Sequence, residues 1–259
     1  MDSTIQEKKD AFERLLNIMD ELREKCPWDK KQTFESLRSL TIEETYELAD
    51  GILKRDLNEI KKEIGDILLH IVFYARLGNE EKAFDITDII NSLNEKLIYR
   101  HPHVFGTTEV ADDIEVKKNW EHLKIKEGNK SVLGGVPDSL PALIKASRIQ
   151  EKVRAVGFDW DERSQVWDKV KEEIAEVQAE IENDDTQKTE QEFGDLLFTV
   201  VNACRLYGVD PETALERTNQ KFMKRFRYLE EKTIQSGRSL KEMTLAEMDV
   251  YWEEAKKIK

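Results

Sequence analysis

Cysteine is close to absent: Cys26 and Cys204 are the only two in 259 residues, and neither sits in a CxxC or zinc-ligand spacing. A disulfide framework and a zinc site are thereby excluded, and the composition fits a reducing compartment, the cytoplasm. Proline and glycine are scarce as well, with 5 and 11 copies. Long stretches lack both, which argues against the turn-rich sequence of a sandwich or barrel and for an all-α chain. No apolar run approaches the roughly 18 residues of a membrane span, and the opening MDSTIQEKKDAFERLLNIMDELREKC reads as a charged amphipathic helix, not a signal peptide. Net positive charge is missing too. Against 41 Lys and Arg stand 54 Asp and Glu, a formal charge of −13, so no broad basic face is expected to hold nucleic acid through its phosphates. Free nucleotides stay open as ligands, because a divalent cation inverts the local field of a carboxylate-rich site.

What the sequence does contain is one unit written twice. At roughly 150 residues per domain the length favours two cores. The clearest break is KEGNKSVLGGVPDSLP at 126–141, which holds three of the glycines and two of the prolines. It divides the chain into an N-terminal domain (1–126), a linker (127–140) and a C-terminal domain (141–259). Across that break, IEETYELADGILKRDLNEIKKEIGDILLHIVFYARLG aligns with KEEIAEVQAEIENDDTQKTEQEFGDLLFTVVNACRLYG. Glu43, Glu44, Glu47, Glu63 and Asp66 recur as Glu172, Glu173, Glu176, Glu192 and Asp195, each displaced by 129 residues. Asn94, Lys96 and Arg100 answer Asn219, Lys221 and Arg225, and Trp120 and Lys124 answer Trp252 and Lys256. In the second copy the pattern predicts helices near 139–156, 164–183, 186–207, 211–236 and 244–257. Asp210-Pro211 starts the fourth, and a Thr244/Glu247 capping box starts the fifth.

The acids carry the chemistry. Val166, Val170, Ile174, Val177 and Ile181 repeat at helical steps and predict a core-facing stripe, with Glu173 and Glu176 beside it on one flank and Glu172 pointing more outward. On the next helix Phe193, Leu196, Leu197, Phe198, Val200, Val201, Cys204 and Tyr207 leave little polar circumference, so deep burial is expected. Within it Glu192, Asp195, Thr199 and Asn202 form one narrow polar stripe. Carboxylates in such a setting need a cationic partner. Basic side chains or a hard, oxygen-liganded divalent ion both qualify, and the number of converging acids favours Mg²⁺ or Mn²⁺. A di-iron centre is disfavoured because neither helix carries Glu-x-x-His. One EExxE taken alone is an ordinary solvated helix face; the repetition gives it weight.

Lys221 and Arg225 stand one turn apart, as do Trp252 and Lys256. Taken singly they read as surface charge and a core tryptophan; opposite a metal site they would clamp phosphates and stack on a base. His70, His101, His103 and His122 form no repeated set, and RHPHVFG (100–106) reads as a loop. Cys26-Pro27-Trp28-Asp29 and Phe158-Asp159-Trp160-Asp161 precede the acidic helices as entry structure or as a substrate wall.

The pair EETYE…EIGD and EEIAE…EFGD resembles the all-α NTP pyrophosphohydrolase superfamily of MazG. The tandem arrangement, RHPHVFG and NQKFMKRF extend the resemblance to the MazG family over nearly the full chain. It implies two helical-bundle domains that dimerise to complete four-helix cores, and hydrolysis of NTPs or dNTPs to the monophosphate and pyrophosphate. It also implies Mg²⁺ at Glu173, Glu176, Glu192 and Asp195, and nucleotide contacts from Lys221, Arg225, Trp252 and the region of Lys188. Lys169, Asn219 and Lys256 join the expected substrate set, with Glu172 or Glu176 placing or deprotonating water. The first-copy equivalents are Glu43, Glu44, Glu47, Glu63, Asp66, Lys96, Arg100, Trp120 and Lys124. The family leans toward the second domain as principal catalyst, and Leu40 and Leu97, facing Lys169 and Phe222 in the second copy, weaken the first. A helical adaptor and a nucleotide sensor without turnover are the competing functions, and the sequence does not fix base or sugar preference.

Overall fold

The computed structural model describes residues 3–112, 115–116, 119–120, 123, 131–160 and 162–258. Among these there is no strand, and no helix is long and apolar enough to cross a membrane. The chain divides into two compact units, Met1–Val110 and Ala111–Lys259.

The first unit contains α1 (Ile5–Lys25), α2 (Phe34–Lys54), α3 (Leu57–Glu80), α4 (Ile86–Arg100) and α5 (Pro102–Phe105). Thr4 and Glu7 cap α1 reciprocally, as do Thr33 and Ser36 at α2. Met19 of α1, Leu37 of α2 and Val72, Phe73 and Leu77 of α3 form the core. Around it Phe34 stacks on Tyr74 with ring centroids 5.8 Å apart, and Tyr74 and Thr41 share a 2.7 Å hydroxyl hydrogen bond. The RHPHVFG segment is not a plain loop: Pro102 at the first helical position starts a single turn, closed by Gly106 N–H onto the Pro102 carbonyl at 3.0 Å. Proline's fixed φ favours that start.

The second unit contains α6 (Ala142–Ala155), α7 (Val166–Glu182), α8 (Thr186–Leu206), α9 (Pro211–Gln235) and α10 (Leu245–Lys257). Each sequence-derived helix falls within three residues of these bounds. Asp210 accepts from Thr213 N–H at 2.8 Å with Pro211 following, and the Thr244/Glu247 box is closed from both sides. Val166, Val170, Val177, Val201, Ala203, Leu229 and Ala255 are its buried apolar residues.

The turn that folds each acidic helix onto the next is also repeated. Arg55 and Asp184, both non-glycine, adopt left-handed backbone at φ 56° and 57°, at a cost of about 1 kcal/mol each. The residue after each caps the following helix. Asp56 accepts from Asn58 and Glu59 N–H, and Asp185 accepts from Lys188 N–H. These reversals set α2 against α3 and α7 against α8, which brings their acids together.

Glu247 gives a pH marker for the second unit. Arg238 donates to it at 2.8 Å and Thr244 donates through both N–H and hydroxyl. Led by Arg238, these bonds hold the carboxyl down at about 2. A depressed pKa stabilises above the unfolded-state value and loses that contribution as pH falls toward 2. In an NMR titration Arg238→Ala is expected to move Glu247 up toward the ordinary glutamate range. A value still near 2 would assign the effect to Thr244 alone.

Candidate functional site

In each unit three carboxylates converge from two helices. Glu44 and Glu47 on α2 meet Glu63 on α3, and Glu173 and Glu176 on α7 meet Glu192 on α8. In each trio one oxygen per residue lies within 4.8 Å of the others. An oxygen-only set of this kind is the donor chemistry of a hard divalent cation. Asp195 is exposed and Asp66 half-buried, and neither carboxylate joins its trio. Glu172 and Glu43 are exposed beside the trios.

The structure corrects the helical phase expected for α7. Its buried row is Val166, Val170, Glu173 and Val177, while Ile174 and Ile181 face outward. Glu173 therefore lies within the core stripe, at 4% exposure, not beside it. The expected deep burial of α8 also fails within the single chain. Phe193, Leu197, Phe198, Val200 and Tyr207 stand exposed, whereas Thr199, Val201 and Ala203 are buried. The covered side of α8 is the one carrying part of the polar stripe, because α7 packs there.

Both trios engage a lysine, but from different places. Lys62 on α3 lies 2.7 Å from Glu63 and 3.9 Å from both Glu47 and Glu59. Glu63 is fully enclosed, and its Oε2 has no hydrogen-bond donor. The bond from Lys62 lowers the Glu63 pKa against the effect of burial. Glu44 is pushed up by burial, then by the shared contact with Glu63 and the charges of Asp66 and Glu47. In the second unit Lys169 reaches Glu173 at 2.8 Å and Glu172 at 2.9 Å, both on its own helix. Those two bonds raise the Lys169 pKa. Burial, then the Glu173 charge, raises that of Glu176.

The basic and aromatic residues form a second cluster on α9 and α10. The Arg225 guanidinium lies 5.8 Å from the Trp252 ring centroid, and Phe222 packs on Trp252 at 5.0 Å and on Phe226 at 6.2 Å. Lys221 is exposed, Asn219 donates to Glu216 at 3.3 Å, and Lys256 pairs with Glu253. Lys188 lies 3.8 Å from Glu180 and 3.7 Å from Asp185. In the first copy Lys96 is exposed and Arg100 half-buried; Trp120 is half-buried and falls within Ala111–Lys259. Lys124 and His122 lie outside the described residues.

Sequence reasoning missed the ion pair that holds the end of α8. Arg205 at the end of α8 makes a bidentate pair with Asp159, which Arg154 joins at 3.2 Å, and Arg205 also donates to Asn202. Trp167 Nε1 donates to Tyr207 at 2.9 Å, with Arg163 over the Tyr207 ring. Through Asp159 the Phe158–Trp160 segment is tied to the end of α8, while Phe158 itself stands exposed. In the first unit Arg23 bonds both Glu80 oxygens at 2.9 Å and the Gln32 carbonyl at 3.1 Å, while Arg76 pairs with Asp20 at 3.1 Å. A signal existed: Arg76 and Arg205 recur at the same 129-residue displacement as the acids.

Comparison with known proteins agrees with this duplicated arrangement. The MazG nucleotide pyrophosphohydrolase domain is matched over residues 32–105 and again over 162–229, so both acidic hairpins lie inside matched segments. Nucleoside triphosphate pyrophosphohydrolase/pyrophosphatase MazG of Thermotoga maritima is 45% identical over 250 residues, covering 95% of each chain. The nucleoside triphosphate pyrophosphohydrolase of Escherichia coli is 42% identical over 255 residues, 95% of this chain and 97% of that one. Bacillus subtilis YabN is 44% identical over 251 residues, but these span only 51% of its length. Since the likeness runs almost end to end and the domain occurs twice, the chain belongs to the MazG nucleotide pyrophosphohydrolase family.

Proposed function

We propose that this nucleoside triphosphate pyrophosphohydrolase works through a divalent cation, Mg²⁺ with Mn²⁺ as substitute, bound at Glu173, Glu176 and Glu192. The carrying observation is the convergence of three carboxylates from two helices, in both units, at matching positions. A Mg²⁺ ion with ligands at about 2.1 Å spaces its oxygens about 3–4 Å apart, within rotamer reach of such a trio. The enclosed Glu63 Oε2 without a donor fits the same purpose in the first unit. Asp195, one turn beyond Glu192, is the remaining acid for completing the coordination.

When bound, the cation supplies charge stabilisation at the phosphates and a more acidic attacking water. The chain's own groups do the rest. Glu172 and Glu176 are the exposed acids at the trio, so these are the groups to place the water and take its proton. Lys221 and Arg225 clamp the phosphates, with Lys169, Lys188, Asn219 and Lys256 as further contacts, and Trp252 with Phe222 offers an apolar wall to the base. Such a wall contacts any base through its π-face, so a broad range of NTPs and dNTPs is expected. The second domain is the principal catalyst in this reading. The first carries Leu40, Glu59 and Leu97 where the second has Lys169, Lys188 and Phe222, and an acid in place of Lys188 repels a triphosphate.

The exposed apolar face of α8 supports a homodimer. Phe193, Leu197 and Val200 repeat Ile64, Leu68 and Ile71 of α3, and all six are exposed. A second copy covering such a face removes it from water. Sedimentation velocity checks this, and a species of single-chain mass at every concentration overturns it. Two free thiols are in keeping with the cytoplasm, which cell fractionation checks.

The enzymatic test is pyrophosphate release from a panel of NTPs and dNTPs with Mg²⁺, and again after EDTA. Release that EDTA abolishes and Mg²⁺ or Mn²⁺ restores is the expected result. EDTA-insensitive release overturns the metal assignment. A thermal shift with Mg²⁺ and nucleotide but no release favours a sensor; neither shift nor release favours an adaptor.

A further inference from the structure

The two carboxylate trios differ in their resident ammonium. Lys62 bridges both helices of the first hairpin, touching Glu47 of α2 together with Glu59 and Glu63 of α3. Lys169 touches only acids of its own helix, the trio member Glu173 among them, and among the described residues neither Glu176 nor Glu192 has a lysine within ion-pair distance. The second copy has Gln191 at the position of Lys62. An acidic cluster alone does not define a site. Here a second observation points to a ligand: Glu63 is wholly enclosed, one oxygen taken by Lys62 and the other without a donor.

We infer that Lys62 is a built-in counter-cation that lowers divalent-ion affinity at Glu44, Glu47 and Glu63. The inference rests on the divalent-ion reading above. An ammonium bonded to one oxygen of Glu63 neutralises a ligand and repels a divalent charge about 5 Å away. With water-like screening and physiological salt, that repulsion is worth about five- to tenfold in affinity. Lys62 is itself exposed, so a divalent ion does not have to extract it from the core.

The test is Mn²⁺ binding to the full chain, followed through the EPR signal of free Mn²⁺, for wild type, Lys62→Gln and Gln191→Lys, with Glu192→Gln to assign the second trio. Glutamine and lysine have similar helix propensity, and thermal unfolding confirms that each variant folds. Wild type is expected to show two classes, and Glu192→Gln to remove the one at the second trio. Lys62→Gln should tighten only the class that Glu192→Gln leaves, about five- to tenfold, and Gln191→Lys should weaken the other. A first-trio class that Lys62→Gln leaves unchanged or loosens overturns the counter-cation role while the metal reading stands. No Mn²⁺ binding by wild type removes both.

Discussion

Glu173→Gln is expected to cut pyrophosphate release by more than about 100-fold while leaving the chain folded. Loss of a partner behind a metal ligand already costs about 10–100-fold, and Glu173 belongs to the trio itself. It is also held at 4% exposure between Val170 and Val177 on the buried row of α7, so no nearby water can take its place without repacking. Glutamine keeps the shape and the helix propensity and removes the charge. Lys169 retains Glu172 as a partner at 2.9 Å, so its ammonium is not stranded. The measurement is steady-state release at saturating Mg²⁺ beside a thermal melt. An activity loss under about tenfold, with the fold intact, moves the catalytic ion away from Glu173. The exposed Glu172, changed likewise, should lower the rate less and shift the pH profile if it handles the proton.

Arg205→Ala is expected to have the largest effect on stability. The Arg205 and Asp159 side chains are 12% and 20% exposed. Truncating one partner leaves the other charge half-buried, and also leaves Asn202 Oδ1 without its two donors. A fully buried pair broken this way costs about 3–5 kcal/mol; with partial exposure about 2 kcal/mol is reasonable, a Tm decrease of roughly 5–10 °C for a unit of this size. The pH dependence has a definite sign. Burial pushes the Asp159 carboxyl up, but Arg205, the Trp160 N–H and Arg154 together hold it below its ordinary value. Its contribution is therefore present above the unfolded-state pKa, near about 4, and is lost as pH falls below it. Unfolding at pH 7 and at pH 3.5 should show a wide gap between wild type and variant narrowing in acid. A gap independent of pH would mean that lost packing, not the ion pair, carries the effect.

Most of the fold was legible because its signals are local. Caps such as Asp210 and Thr244 and the scarcity of breakers fixed the helix bounds within three residues. Duplication made the acids conspicuous where EExxE alone would have been an ordinary surface. Burial was less legible. A helical period tells which residues share a face, not which face another element covers: Ile174 and Glu173 are adjacent, and packing on α8 chose Glu173. The apolar circumference of α8 promised burial that one chain does not supply. Lys62 gave no sequence signal and Lys169 was singled out only as a substrate contact, since a lysine near glutamates is commonplace and only the fold shows which acids it reaches.

Within each trio the one inaccessible carboxylate has changed places between the halves. In the first it is Glu63, on the later helix; in the second it is Glu173, on the earlier one. Alignment matches Glu63 with Glu192 and Glu44 with Glu173, yet each of those couples joins a sealed side chain to a partly wetted one. A mutational score measured in one half therefore does not transfer to its aligned counterpart. Ancestry makes these positions homologous, but solvent access makes them different, and a scan of both halves should rank the four acids in opposite order.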